Sequence, residues 1–417
     1  MPYLPRIVDE ELNRRLKATG GVVIEGPKAC GKTRTARQIA ESEVLLDMDE
    51  GARAALEIDP SLVLKGDPPR LIDEWQVDPR IWNHVRREID DRGEPGQFIL
   101  TGSAIPADDV TRHTGAGRLT RLKMRPMSLL ESGISNGTVS LKDTMNGRSV
   151  RAADEGLTVG DLTESIVRGG WPALHDLSTA DAQQGVMDYL EEIRRFDTSV
   201  IDGVQRNPDK IALLLQSLAR NTGTYAAATS LSQDTAGPDG GSLKDDTVRA
   251  YLSVLDRLMV IEDQPAWSPN LRSKAVMRKA AKRHFVDPSL AAAALRASPE
   301  RLLMDLNLLG FMFESLVTRD LRIYGQSIGS KVFQYRDDKG VEIDAILDSG
   351  DGQWGAFEIK LGSGRVDQAA ESLKKFADRV DTSKSGAPAV LGVIVGTGYG
   401  YTRKDGIAVI PIGCLGP

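Results

Sequence analysis

Gly26, Pro27, Lys28, Ala29, Cys30, Gly31, Lys32 and Thr33 fit the pattern G-x-x-x-x-G-K-[ST] in full. The spacing suits a loop whose backbone N–H groups close around phosphates. The glycines remove the side chains that would block that approach, and a helix starting at Lys32 would add its positive dipole end. Lys32 is expected to reach the β- and γ-phosphates of ATP, and Thr33 to hold Mg²⁺. Arg34 follows directly and is included in the nucleotide-binding set.

A second half of such a site is also present. Leu71-Ile72-Asp73-Glu74 is a short apolar strand ending in two acids. Asp73 would complete the Mg²⁺ shell, and Glu74 would orient and deprotonate the attacking water. Phe98-Ile99-Leu100-Thr101-Gly102-Ser103 is another apolar strand ending in small polar residues, and Ser103 is placed to sense the γ-phosphate. Beyond it, Arg112, Arg118 and Arg121 flank two glycines, and Arg118 is the choice for an arginine that completes a neighbouring subunit's site.

A third group of chemically capable residues lies near the C-terminus. Glu358 and Lys360 share one strand face because side chains repeat every two residues, and Asp344 lies on the preceding strand. Glu314, on a helix expected over 302–323, could join them. Such carboxylates suit Mg²⁺ or Mn²⁺, with Asp344 and Glu358 as ligands and the lysine polarising a water.

The elements that position these groups follow from periodicity. Strands are expected at 21–25, 44–47, 70–73 and 97–101, with a helix at 32–42, which implies a parallel sheet flanked by helices. The polar stretch 133–160 reads as a poorly packed connection. Apolar spacing from 182 to 218 is helical. Helix 209–220, a loop, helix 246–258 with Asp246 as N-cap, and a strand at 260–264 suggest a winged helix, with Lys244 and Arg249 as groove contacts. The loop at 230–245 is long against a turn of about 3–4 residues. Arg272, Lys274, Arg278, Lys279, Lys282 and Arg283 form a run without acids, read as a phosphate-tracking stripe. The last third mixes helices (302–323, 366–379) with strands (332–336, 342–347, 356–360 and 389–395).

Together these motifs resemble a widespread prokaryotic family. The residues that carry the resemblance are the phosphate loop, Ile72-Asp-Glu-Trp-Gln76, Leu100-Thr-Gly-Ser-Ala104 and Gly117-Arg-Leu119. Further matches are Arg125-Pro-Met-Ser-Leu-Leu-Glu131, Arg168-Gly-Gly-Trp-Pro172, Tyr189-Leu-Glu-Glu-Ile193, Thr247-Val-Arg-Ala-Tyr-Leu252 and Phe285-Val-Asp-Pro-Ser-Leu290. Members join an AAA+ ATPase core to a C-terminal domain of long-unknown function. The resemblance implies an α/β chain with a P-loop AAA+ core, a mostly helical winged-helix module and an α/β restriction-endonuclease-like domain. The boundaries would fall at 1–175, 176–275 and 276–417. Asp344, Glu358 and Lys360, with Glu314 as accessory acid, resemble the PD-(D/E)xK nuclease signature.

Composition bounds the rest. The 417 residues exceed one core, and 41% hydrophobic with 27% charged residues is ordinary for a soluble globular chain. Two distant cysteines exclude a disulfide framework and fit a cytoplasmic protein. The net charge of −6 excludes a uniformly basic coat and still permits a local basic stripe. The expected function is ATP-driven binding and remodelling of DNA, including branched DNA such as a Holliday junction, by a homo-oligomeric, hexameric ring with no membrane association. Metal-dependent cleavage is an open addition. The rival is a nucleotide-controlled protein-interaction switch with an inactive nuclease-like domain. An RNA nuclease lacks an aromatic platform to support it.

Overall fold

The computed structural model describes residues 2–104, 114–154, 156–197, 204, 206–235, 242–269, 280–337 and 339–417. Arg112, Arg272, Lys274, Arg278 and Lys279 lie outside the described residues.

The N-terminal layer is a five-stranded, wholly parallel sheet in the order Ser42–Leu45, Arg70–Asp73, Phe98–Gly102, Gly21–Glu25, Leu119–Lys123. Val22, Val23 and Ile24 on the fourth of these are fully buried, as a strand covered on both faces requires. Phe98–Gly102 lies between the strand that feeds the phosphate loop and the strand that ends in Asp73. Its small polar end is therefore interposed between the two halves of the expected site.

Several expected bounds move. The helix after the phosphate loop runs only from Lys32 to Ala36. The helix expected at 246–258 is Asp245–Arg257, and its N-cap is Lys244 rather than Asp246. The long loop at 230–245 is shortened by a helix at Ala228–Asp234, so helices Pro208–Arg220, Ala228–Asp234 and Asp245–Arg257 follow one another. An antiparallel pair, Ile261–Gln264 with Lys282–Phe285, completes this unit. The expected boundary at 275 falls between these two paired strands.

The stretch 133–160 is not a loose connection. Val139, Leu141, Met145, Val150 and Ala152 are buried in the largest core cluster. Val139–Ser140 pairs with Leu415–Gly416, and Arg151–Ala152 forms the edge of the distal sheet. That seven-stranded sheet runs Lys331–Arg336, Glu342–Asp348, Trp354–Lys360, Val390–Val395, Ala408–Pro411, Gly400–Thr402, Arg151–Ala152. Helix Val366–Ala377 packs on it through Val366, Ala369, Ala370, Leu373 and Phe376.

Helix Leu306–Ser327 is the strut of the molecule. It is buried almost continuously from Met312 to Gly325, charged residues included. Glu314, Arg319, Asp320 and Arg322 are all on it, so their charges must find partners inside the protein.

Candidate functional site

The phosphate loop has the backbone its sequence requires. Gly31 sits at φ 105°, a left-handed conformation that favours glycine, and Ala29 at φ 60°. A Cβ on Gly26 would stand 2.3 Å from the Met124 carbonyl oxygen, so no side chain fits there. Lys32 Nζ donates to the Gly26 and Pro27 carbonyls at 3.0 and 2.9 Å. Lys28 Nζ reaches Asp197 at 2.6 Å, on the π-helical turn Ile193–Asp197. Arg6 braces the loop from behind, donating to the Cys30 carbonyl at 2.8 Å and to Glu131 at 3.0 Å.

Thr33 Oγ1 donates to Asp73 Oδ1 at 2.8 Å, which brings the two expected Mg²⁺ ligands together. Thr101 also donates to Asp73 Oδ1. Burial raises the Asp73 carboxyl above its usual range, against the pull of the Thr101 and Thr33 hydroxyls. A cation at these oxygens would act in the opposite direction. The donor set of one hydroxyl and one carboxylate, with room for waters and phosphate oxygens, fits Mg²⁺.

Glu74 stands at φ 51°, a left-handed conformation that ends the strand at Asp73. Ser103 Oγ donates to Glu74 Oε2 at 2.9 Å, and Gln76 Nε2 donates to the same oxygen and to Ser103 Oγ. Gln76 and Thr101 were not among the expected site residues. Gln76 lies two residues beyond Glu74 in the Ile-Asp-Glu-Trp-Gln segment, which was the available signal. Beside the loop opens a cavity of about 400 Å³, walled by Tyr3, Leu4, Pro172 and Ala173 and floored by Gly31, Lys32, Thr33 and Glu74. Arg34 also lines it. Ser103 is buried at the end of its strand.

Arg118 is not near this cavity. It stands where Leu119–Lys123 begins, and its carbonyl accepts from Gly21 N, whereas the phosphate loop leaves the other end of Gly21–Glu25. Its Nε pairs with Asp90 at 2.8 Å.

Near the C-terminus, Glu314, Asp344, Glu358 and Lys360 do converge. Pairing between Glu342–Asp348 and Trp354–Lys360 starts at Ala345 with Phe357, so the strands part at Asp344. Asp344 Oδ2 there accepts from Ile359 N at 2.9 Å and from Lys360 Nζ at 2.9 Å. Lys360 also reaches Glu358 at 2.6 Å. The remaining partner is Lys282, whose buried Nζ lies 2.7 Å from Glu314 and 3.5 Å from Asp344. Burial alone would raise Asp344; Lys282 and Lys360 override it and hold the carboxyl down to about 2. Glu314 and Glu358 are pushed up to about 7 by burial and by the charge of Asp344.

This corrects the expectation that Lys282 tracks phosphate on a surface stripe. It also bears on Asp344 and Glu358 as metal ligands. Two ammonium groups already pair with Glu314, Asp344 and Glu358, and among the described residues no group of three or more His, Cys, Asp or Glu is arranged to hold a metal. As arranged, the residues do not fit a divalent cation.

The motif residues outside these sites form a buried clasp. Asp287 accepts from Gly170 N at 3.0 Å, Ser289 N at 3.0 Å and Arg319 Nη1 at 2.7 Å. Trp171 Nε1 donates to Ser289 Oγ at 2.9 Å, and Asp320 accepts from Leu129 N at 3.0 Å. A Cβ on Gly170 would lie 2.1 Å from the Met127 carbonyl oxygen. The clasp thereby fixes Pro172, a wall of the nucleotide cavity.

Residues 19–132 match the family described as AAA domain. The segment that carries the phosphate loop and Asp73 is thus similar to an AAA domain. Residues 159–301 and 309–415 match two domains of unknown function, DUF8612 and DUF4143. No curated protein matches the chain. Among solved structures, similarity is found to the Aeropyrum pernix ORC1 protein in complex with DNA. It is 13% identical, covers 72% of this chain and 95% of that one, and has a TM-score of 0.27. C. elegans PCH-2 is 10% identical over 60% of this chain and 65% of that one, with a TM-score of 0.19. A signal transduction ATPase with a tetratricopeptide repeat sensor from Pyrococcus horikoshii is 11% identical over 78% and 49%, with a TM-score of 0.21. Among the described residues no helix is long and apolar enough to cross a membrane.

Proposed function

We propose that the chain is an ATP-hydrolysing AAA+ protein that binds and remodels DNA. The observation that carries the ATPase part is the meeting of Thr33, Asp73 and Glu74 beside the phosphate loop. Lys32 would exchange its two loop carbonyls for phosphate oxygens and stabilise the charge that develops there. Glu74 would accept the proton of the attacking water once Gln76 and Ser103 release its Oε2. Bound at Thr33 and Asp73, Mg²⁺ would neutralise charge on the β- and γ-phosphates.

The DNA part rests on the three helices and hairpin of the middle unit, which we read as a winged helix. Lys244 and Arg249 lie at and on its third helix, Asp245–Arg257, the one that would enter a groove. Structured or branched DNA, including a Holliday junction, is the proposed substrate class. A homo-oligomeric ring, hexameric and cytoplasmic, with Arg118 completing a neighbour's site, belongs to the same proposal.

A second reading is favoured by one specific observation. Lys282 and Lys360 neutralise the nuclease-like carboxylates, which suits an inactive domain serving as a binding platform in a nucleotide-controlled protein-interaction switch. ATP hydrolysis measured alone and with duplex, single-stranded and four-way-junction DNA separates the two. Stimulation by one DNA form supports remodelling, while an unchanged rate with all of them leaves the switch.

A further inference from the structure

A second cavity, of about 510 Å³, opens between the N-terminal helix Val8–Leu16, the edge strand Leu119–Lys123, the paired strand Ile261–Gln264 and the start of Lys331–Arg336. Its lining carries seven lysines and arginines against three carboxylates, in a chain whose net charge is −6. Cations gathered against the balance of the whole molecule raise a local positive potential, and a concave wall focuses it.

The deep end is built around Glu262. Its carboxylate lies 2.9 Å from Lys123 Nζ, 2.7 Å from Arg125 Nη2 and 3.5 Å from Arg322 Nη1. One carboxylate thus serves three cations, two of which, Arg125 and Arg322, are largely buried. Burial lowers Lys123 and Arg322 from their usual ranges, with Glu262 opposing it in both. Uncompensated charge in such a place is costly unless a counter-ion completes it. At the mouth, Arg14 and Lys331 are exposed and make no ion pair with the described residues. Phe333, half-buried, and Pro265 add an apolar wall.

We propose that this cleft is a second anion site, separate from the phosphate loop, that takes the phosphate groups of a polyanion. The same chemistry is offered by a nucleic-acid strand and by a free polyphosphate. The volume falls within the range of small-ligand pockets, roughly 300–1,000 Å³, and an open mouth also admits a chain that passes through. The site stands whether or not DNA is remodelled. Its occupancy would reach the nucleotide loop by a short path: the Arg125 carbonyl accepts from Arg6 Nη2 at 2.8 Å, and Arg6 Nη1 holds the Cys30 carbonyl.

The test uses the full chain carrying Lys32→Ala, which weakens phosphate binding at the nucleotide loop. A fluorescent single-stranded oligonucleotide is followed by anisotropy and tripolyphosphate by calorimetry, both at low salt. Arg14→Glu with Lys331→Glu is then added; both residues are exposed, so the thermal midpoint is expected to stay put. A tenfold or greater loss for the oligonucleotide alone supports the site and names a strand as its ligand. The same loss for tripolyphosphate supports it and names a free polyphosphate. Binding of both probes within twofold of the parent, or no binding of either probe by the parent, overturns the proposal. Restoring the two charges as Arg14→Lys and Lys331→Arg is expected to recover the parent affinity.

Discussion

Arg319 donates from Nη1 to Asp287 Oδ2 at 2.7 Å, with its side chain 3% and that of Asp287 0% exposed to solvent. Asp287 also receives Gly170 N, so the pair ties the strut helix to the segment that walls the nucleotide cavity. Arg319 answers Asp320 as well, and Asp320 in turn holds Leu129 N. Three sequence motifs that resemble family signatures thus converge on one buried charge network.

Breaking that network from one side leaves a buried charge without its partner. Arg319→Met is expected to destabilise the protein by about 3–5 kcal/mol, the usual result of removing one member of a buried pair. The urea midpoint measures it. A loss under about 1 kcal/mol would mean that Asp287 finds another partner or protonates at little cost.

Lys282 makes a different forecast at the C-terminal carboxylates. Lys282→Met removes the ammonium between Glu314 and Asp344, which lie 2.7 and 3.5 Å from its nitrogen. The variant is expected to be less stable and to gain Mn²⁺ binding by calorimetry, with Mn²⁺ raising its urea midpoint. The unaltered chain is expected to bind no Mn²⁺ there. Equal Mn²⁺ binding by both proteins would contradict the assignment of Lys282 as the resident cation.

His284 gives a pH dependence with a definite sign. Its Nε2 meets Gln264 Oε1 at 3.1 Å, where Gln264 is oriented by donating to the Phe333 and Asp344 carbonyls. Nε2 must therefore carry the proton, and Nδ1 meets Ser315 Oγ at 2.9 Å. Burial, with Arg322 and Lys282 nearby, holds the imidazole well below its usual range. The unfolded state takes up a proton that the folded state refuses, so this stability is present above about pH 6.5 and lost as pH falls below it, by up to about 1.4 kcal/mol per unit. Glu314 and Glu358, raised to about 7, act in the opposite sense: stability they allow below about 4.5 is lost as pH rises through 7. The difference between the unaltered chain and His284→Gln isolates the histidine. Its acid slope is expected to flatten in the variant; parallel profiles would exclude His284 as the source.

The parts legible in the sequence were those set by local pattern. Gly21–Glu25 and Arg70–Asp73 fall at their expected residues because an apolar run ends at a glycine or an acid. Glu358 and Lys360 share a strand face for the same reason, and they do meet Asp344. What stayed hidden depends on distant pairing. Val139–Ser140 and Arg151–Ala152 are too short to show a strand period, and only pairing with residues 415–416 and 400–401 makes them strands. Lys282 sits in a run of basic residues that looks solvated until the strand at 261–264 turns it inward. Helix Ala228–Asp234 has a serine- and threonine-rich sequence with weak intrinsic helix preference, so packing of Leu231 rather than composition decides it.

Glu74, held by Ser103 and Gln76 beside the phosphate loop, is proposed as the base for ATP hydrolysis. Glu74→Gln keeps the shape of the site and removes the proton acceptor. Nucleotide affinity and phosphate release should be measured on the same preparation, with Lys32→Ala beside it. ATP affinity within about threefold of the parent, with hydrolysis reduced at least about a hundredfold, is the predicted result. Hydrolysis that survives the change unaltered would contradict the claim and place the catalytic base elsewhere.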